Sequence, residues 1–123
     1  MRTLVLLLLV ALAVAVPAAS AKDRQLAGEC SESGDVCNQI SVEGGVVFLS
    51  MNLAAKYFTS YRLCVKGPKS RVCKTFRMRA PDKAGDQWAS KVRWRGNFPY
   101  QGAGAYRVTW DSGATLTFRL PLA

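Results

Sequence analysis

Beyond residue 45 the chain alternates between apolar and polar positions with a period of two. Val47, Leu49, Met51 and Leu53 share one phase of the first run, and Tyr61, Leu63 and Val65 share one phase of the next. Val72, Phe76 and Met78 follow, with Lys74 as the exception. Trp88, Val92 and Trp94 then alternate with Lys91, Arg93 and Arg95, and Tyr106, Val108 and Trp110 with Arg107 and Thr109. Leu116, Phe118 and Leu120 alternate with Thr117 and Arg119. Successive side chains on a strand point to opposite faces, so these runs predict half-buried strands. Six strands follow, with a seventh near Gln39–Val42, where Ile40 and Val42 alternate. Turn chemistry separates the runs at Lys66–Ser70, Pro81–Gly85 and Asp111–Gly113. No segment after Ala21 carries a helical stripe. Short antiparallel strands with one apolar face each are best satisfied by two sheets packed face to face. The expected fold is therefore an all-β, two-sheet antiparallel sandwich of six to seven strands.

The first 21 residues follow a different pattern. Met1 and Arg2 precede an apolar run from Leu4 to Val16, then Pro17 and the small residues Ala18–Ala21. A charged start, a short apolar stretch and an Ala-x-Ala site at Ala19–Ala21 predict a helical secretory signal peptide over 1–21, with Lys22 first after cleavage. The run is shorter than the roughly 20 residues a bilayer span needs, and Pro17 interrupts it. The expected organisation is a single mature domain over 22–123. Within it, 22–45 is an N-terminal segment with a disulfide-tied loop, and 46–123 is the sandwich core.

Export changes the reading of the four cysteines, Cys30, Cys37, Cys64 and Cys73. In a small secreted domain they predict two disulfides. Zinc sites bring their ligands in tighter pairs, and the chain has no histidine. Hydrophobic phase supplies a register. Pairing Val65 with Val72 and Tyr61 with Phe76 turns both pairs inward, sets Arg62 against Thr75 and places Cys64 opposite Cys73. Cys64–Cys73 is thus the favoured bridge, and Cys30–Cys37 follows by elimination, closing a short polar loop.

The run Gly104–Trp110 resembles the sixth strand of immunoglobulin-like and fibronectin-type sandwiches, where Gly-x-Tyr-x-Val recurs. The resemblance implies a tyrosine corner: the Tyr106 hydroxyl would bond a backbone group upstream and pin a corner formed by Asn97–Gly102. Val108 stands where antibody domains carry their inter-sheet cysteine, so the likeness is to the architecture. More closely, Tyr61–Pro121 resembles uncharacterised small secreted actinobacterial proteins. That resemblance rests on Tyr61–Val65, Cys73–Arg77, Val92–Trp94, Phe98–Pro99 and Tyr106–Trp110. It implies fold and compartment, and no activity. The two-disulfide immunoglobulin-like carriers of enediyne antibiotics are similar in architecture alone, being generally acidic and without these motifs.

Without histidine no Ser-His-Asp or Cys-His site can form, and paired cysteines offer no thiolate. Asp82, Asp86 and Asp111 fall in turns, the usual place for solvated aspartates. No catalytic residue, cofactor or metal is expected. Glu29, Glu32 and Asp35 could offer oxygen ligands to calcium, but their spacing matches no established loop and reads as a solvated acidic loop. Aromatic and basic residues alternate, so most rings fall on the inward phase. Tyr57, Phe58, Phe98 and Tyr100, expected in loops, remain as exposed aromatic candidates.

Charge is the sharpest remaining feature. The chain holds 17 Lys and Arg against 8 Asp and Glu, for a net charge of +9, and the signal segment removes only Arg2. In an immunoglobulin-like topology Arg62, Lys66, Arg71, Arg77, Arg107 and Arg119 line one outer sheet surface, with Asp111 the only acid at its end. Such a face attracts phosphates, sulfates or carboxylates of cell-wall polymers, membrane headgroups or extracellular DNA. Positive strand faces also discourage edge-to-edge aggregation, which is the competing account. The expected function is a secreted, non-enzymatic binding domain for an anionic extracellular or cell-envelope polymer. The alternative is an inhibitor or effector that presents the Lys66–Ser70 loop, constrained by its disulfide, to a protein partner. A carrier would need an open apolar cavity, and three inward-phase tryptophans suggest a filled core.

Overall fold

A computed structural model describes residues 22–80 and 87–122. The expected signal segment at 1–21, the Pro81–Gly85 turn, Asp82 and Asp86 lie outside the described residues. Among the described residues eight strands form: β1 (Arg24–Cys30), β2 (Val36–Glu43), β3 (Val46–Leu53), β4 (Ser60–Lys66), β5 (Arg71–Arg77), β6 (Trp88–Arg93), β7 (Gly104–Trp110) and β8 (Thr115–Leu120). They make two antiparallel four-stranded sheets, ordered β1-β2-β3-β6 and β5-β4-β7-β8. The chain changes sheet after β3, β5 and β6, the Greek-key interleaving expected of an immunoglobulin-like sandwich.

The period-two phases decide what lies between the sheets. Val47, Leu49, Met51 and Leu53 of β3 face Leu63, Val65, Tyr106, Val108 and Trp110 of the second sheet across one continuous core. Trp94 fills its upper end. It stacks on Phe98 at 5.5 Å and meets Tyr106 and Phe118 edge-on, both at 5.2 Å between centroids. Such pairs add about 0.5–1.5 kcal/mol each beyond the area they bury.

The register deduced from hydrophobic phase is the observed one. Tyr61 lies opposite Phe76, Arg62 opposite Thr75, Cys64 opposite Cys73 and Val65 opposite Val72. The bridges are Cys64–Cys73 and Cys30–Cys37, and no described cysteine is free. Each joins neighbouring strands on the outer surface of its own sheet, one bridge per sheet. Closing such short loops stabilises by about 2.5–3 kcal/mol on the chain-entropy account.

Strand number departs from expectation: the described residues form eight, and the difference lies before residue 46. β2 runs well beyond Gln39–Val42, because Asn38 occupies an inward position that an apolar residue would ordinarily mark. Its Oδ1 accepts a hydrogen bond from the Ala114 amide at 2.9 Å, tying β2 to the β7–β8 turn. β1 is an edge strand, polar and mostly exposed, and its pairing with β2 shifts register between Gln25 and Ala27. Both features erase a period-two signal. The segment at 22–45 does carry the expected disulfide-tied loop, closed by Cys30–Cys37, but as the tip of a complete β1–β2 hairpin of the first sheet. Lys74 breaks the phase for a related reason. It lies on the edge strand β5, exposed, with its ammonium 6.0 Å from the centre of the Phe98 ring.

Candidate anion-binding face

The six cations expected on one surface do share it. Arg62 and Lys66 lie on β4, Arg71 and Arg77 on β5, Arg107 on β7 and Arg119 on β8, all on the outer phase of the second sheet and all exposed. Register divides them. Lys66 is directly opposite Arg71 on one side and Arg107 on the other. This makes a row of three cations across three neighbouring strands, which lie about 4.8 Å apart. Arg107 faces Thr117 on β8, and Arg119 lies two residues further, on the diagonal, about 7–8 Å away. Arg71, Lys66, Arg107 and Arg119 form one cluster. Arg62 and Arg77 lie beyond the Cys64–Cys73 bridge, toward the opposite end of the strands.

No described acid reaches the cluster. Asp111 stands at the other end of the face, where its carboxylate accepts from the Arg62 amide at 3.0 Å while its own amide donates to the Arg62 carbonyl. None of the six side chains forms an ion pair with another described residue, whereas Lys91 on the first sheet pairs with Glu43. Like charges directly opposite on a sheet are destabilising, by a few tenths to about 1 kcal/mol per pair. Five of the chain's eight acids (Asp23, Glu29, Glu32, Asp35 and Glu43) fall before residue 46, on or beside the first sheet's hairpins.

Two loops rise next to the cluster, and polar contacts fasten them together. The Tyr106 hydroxyl donates to the Gly102 carbonyl and accepts from the Gln101 amide, both at 2.7 Å. This is the tyrosine corner expected from the Gly104–Trp110 run. Gln101 itself is buried. Its Oε1 accepts from the Lys69 and Ser70 amides at 3.0 and 2.8 Å, and its Nε2 donates to the Ser70 carbonyl at 3.1 Å. The turn after Lys66 is therefore held from below by the disulfide and from the side by Gln101. A side chain at Gly67 would strike the Gln101 amide at 2.6 Å, so glycine permits this approach.

Sequence reasoning did not single out Gln101 or Lys69. The only available hint was that Gln101 lies within the segment assigned to the corner. Of the four aromatic candidates, Phe98 is buried in the Trp94 stack and Phe58 is partly buried against the core. Phe98 is thus a core residue, because the loop folds back under Trp94 with its amide bonded to the Trp94 carbonyl. Tyr100 and Tyr57 are exposed, at 63% and 54%.

Other features of the described residues lie apart from the cation cluster. Among the described residues no group of three or more Cys, His, Asp or Glu could hold a metal, so Glu29, Glu32 and Asp35 are not gathered into a site. A hydrogen bond to the Asp35 carboxylate raises the Tyr57 hydroxyl above the ordinary tyrosine range. Burial raises that of Tyr61, partly offset by its 2.7 Å bond to Ser90 Oγ. A surface groove of about 620 Å³ runs between the edge strands β5 and β6, lined by Phe76, Arg77, Arg79, Ala89 and Val92 among others. A smaller cavity of about 370 Å³ lies between the Cys30–Cys37 hairpin and the β7–β8 turn, bounded by Glu29, Asn38 and Asp111. No helix among the described residues is long and apolar enough to cross a membrane. No protein-family model, curated protein or solved structure matches this chain.

Proposed function

We propose that the mature domain is a secreted, non-enzymatic binding module whose outer second-sheet face holds an anionic extracellular or cell-envelope polymer. The observation that carries this reading is the row Arg71, Lys66, Arg107, three cations set directly opposite one another with no described acid among them. A sheet with solubility as its only requirement would intersperse charges of both signs. This row accepts mutual repulsion that a polyanion relieves, with release of the polymer's counterions. The two disulfides agree with an oxidising, extracellular setting.

Retention on immobilised heparin and on isolated cell wall tests the reading, across a salt gradient and beside the triple variant Lys66→Ser, Arg71→Ser, Arg107→Ser. Retention past physiological salt that the variant loses supports it. Elution of both proteins at low salt removes it. A second reading has its own support: the Lys66–Ser70 turn is fixed by the disulfide and by three bonds to Gln101, as a loop presented to a protein partner would be. Binding of that kind depends on side-chain identity and changes little with ionic strength.

A further inference from the structure

We infer that the polymer held by this face is an acidic glycan, whose sugar ring rests on Tyr100 while its carboxylates or sulfates meet the Arg71–Lys66–Arg107 row. The inference rests on the polyanion reading above and adds the identity of the polymer. Tyr100 is the most exposed large hydrophobic residue among those described. Its neighbour Gln101 is bonded to the backbone of Lys69 and Ser70. A side chain at Gly104 would lie 3.2 Å from Pro68, so the two loops touch at Gln101 and again three residues later. The exposed ring therefore belongs to the same end of the sandwich as Lys66, Lys69 and Arg71.

An exposed aromatic ring at the same end of the sandwich as a cation cluster suits a ligand that combines a flat, weakly polar surface with anionic groups. Acidic sugars and nucleotides both do, and the rest of the face distinguishes them. Single-stranded nucleic acids are held by successive aromatic platforms, one under each base. Here the other exposed large ring among the described residues, Tyr57, is engaged with Asp35 beside the Cys30–Cys37 loop, at the far end of the sandwich. The other rings near the cluster, Phe98 and Tyr106, are buried. Hydroxyl groups occupy the positions beside the cations instead. Thr117 lies opposite Arg107, and one step further along, Thr109 Oγ1 and Thr115 Oγ1 are 3.2 Å apart. Hydroxyls donate and accept, as sugar hydroxyls require. Charge, ring and hydroxyls together describe a carboxylated or sulfated polysaccharide.

Three polyanions separate the contributions: a heparin oligosaccharide, long-chain inorganic polyphosphate, which has no ring, and oligothymidylate, which has bases. Affinities of the mature protein and its Tyr100→Ala variant are measured at one fixed salt concentration. Thermal melting of both checks that the exposed substitution leaves the fold intact. Loss of the ring should weaken heparin binding about twofold to tenfold, the range expected for one stacking contact. Binding to polyphosphate should be unchanged. Equal loss on heparin and polyphosphate, or no loss on either, overturns the glycan assignment while leaving the polyanion reading in place. A larger Tyr100 effect on oligothymidylate than on heparin assigns the face to nucleic acid and also overturns it. Failure of the unaltered protein to bind any of the three at physiological salt removes both readings.

Discussion

The Tyr106 hydroxyl lies 2.7 Å from the Gly102 carbonyl oxygen, which it caps from inside the core, while Tyr106 itself is fully buried. The Tyr106 hydroxyl oxygen in turn accepts from the Gln101 amide, so one phenol satisfies two backbone groups at a chain reversal. Tyr106→Phe keeps the ring, and with it the contacts to Trp94 and Phe118, but leaves both groups without their partner. Orphaned buried polar groups cost about 1–3 kcal/mol each. The variant should be destabilised by roughly 2–3 kcal/mol in urea denaturation. A loss below about 0.5 kcal/mol would show that the corner is held by packing alone.

Gln101 carries the next link, from the corner to the turn beside the cations. Gln101→Glu retains an acceptor for the Lys69 and Ser70 amides and loses the donor to the Ser70 carbonyl. Gln101→Ala loses all three bonds. The expected order of stability is Gln101, then Glu, then Ala, with the alanine variant down by about 2 kcal/mol or more. Gly67→Ala should resemble the alanine variant by a different route, since its new methyl group would displace the Gln101 amide. Amide hydrogen exchange at Lys69 and Ser70 reads the same contact locally. Unchanged protection in Gln101→Ala would contradict the assignment.

These two contacts mark how far the sequence could be read. The corner was legible through the resemblance of the Gly104–Trp110 run to the sixth strand of immunoglobulin-like and fibronectin-type sandwiches, which implies it. The Cys64–Cys73 register was legible because hydrophobic phase and sulfur position agreed independently. Gln101 was not, since a polar residue in a loop is ordinarily solvated and nothing local announces burial. β1 and the full length of β2 were hidden by edge exposure, by the irregular pairing at Gln25–Ala27 and by Asn38 at an inward position. The common outer surface of Arg62 and its five companions followed from alternation. Their division into a tight cluster and two outliers needed the strand order and cross-strand register that only the fold supplies.

Tyr61 connects the sheets chemically, since its hydroxyl reaches Ser90 on β6 at 2.7 Å. Burial raises its ionisation above that of an unfolded tyrosine, whose ordinary value is about 10. A raised folded pKa means that the unfolded chain releases this proton first as pH increases. The resulting stability is fully present below about pH 10 and is lost as pH climbs through the higher folded value. Tyr61→Phe removes the titrating group, so its stability should fall less steeply above pH 10 than that of the unaltered protein. The comparison is between two slopes, because lysines titrate in the same range in both proteins. Superimposable alkaline curves would place the Tyr61 proton outside the folding equilibrium.

Lys66 is flanked by a cation on each side, so its charge takes part in both nearest repulsions of the row. If those repulsions are present in the folded protein, Lys66→Gln should raise stability at low ionic strength. The gain should be about 0.5–1 kcal/mol, the scale of opposed like charges on neighbouring strands. It should shrink at 1 M salt, where the screening length falls to about 3 Å. Urea is the suitable denaturant, since it is uncharged and leaves ionic strength free to vary. Lys91→Gln supplies the opposite case, because Lys91 is paired with Glu43, and its removal should be neutral or destabilising by up to about 1 kcal/mol. The stabilised Lys66 variant should also be the weaker ligand for heparin. Together these outcomes mark a position where folding and binding pull in opposite directions, as functional sites commonly do. If Lys66→Gln instead destabilises at low salt, the row is not a seat of repulsion, and the strongest structural reason for assigning it a polyanion is lost.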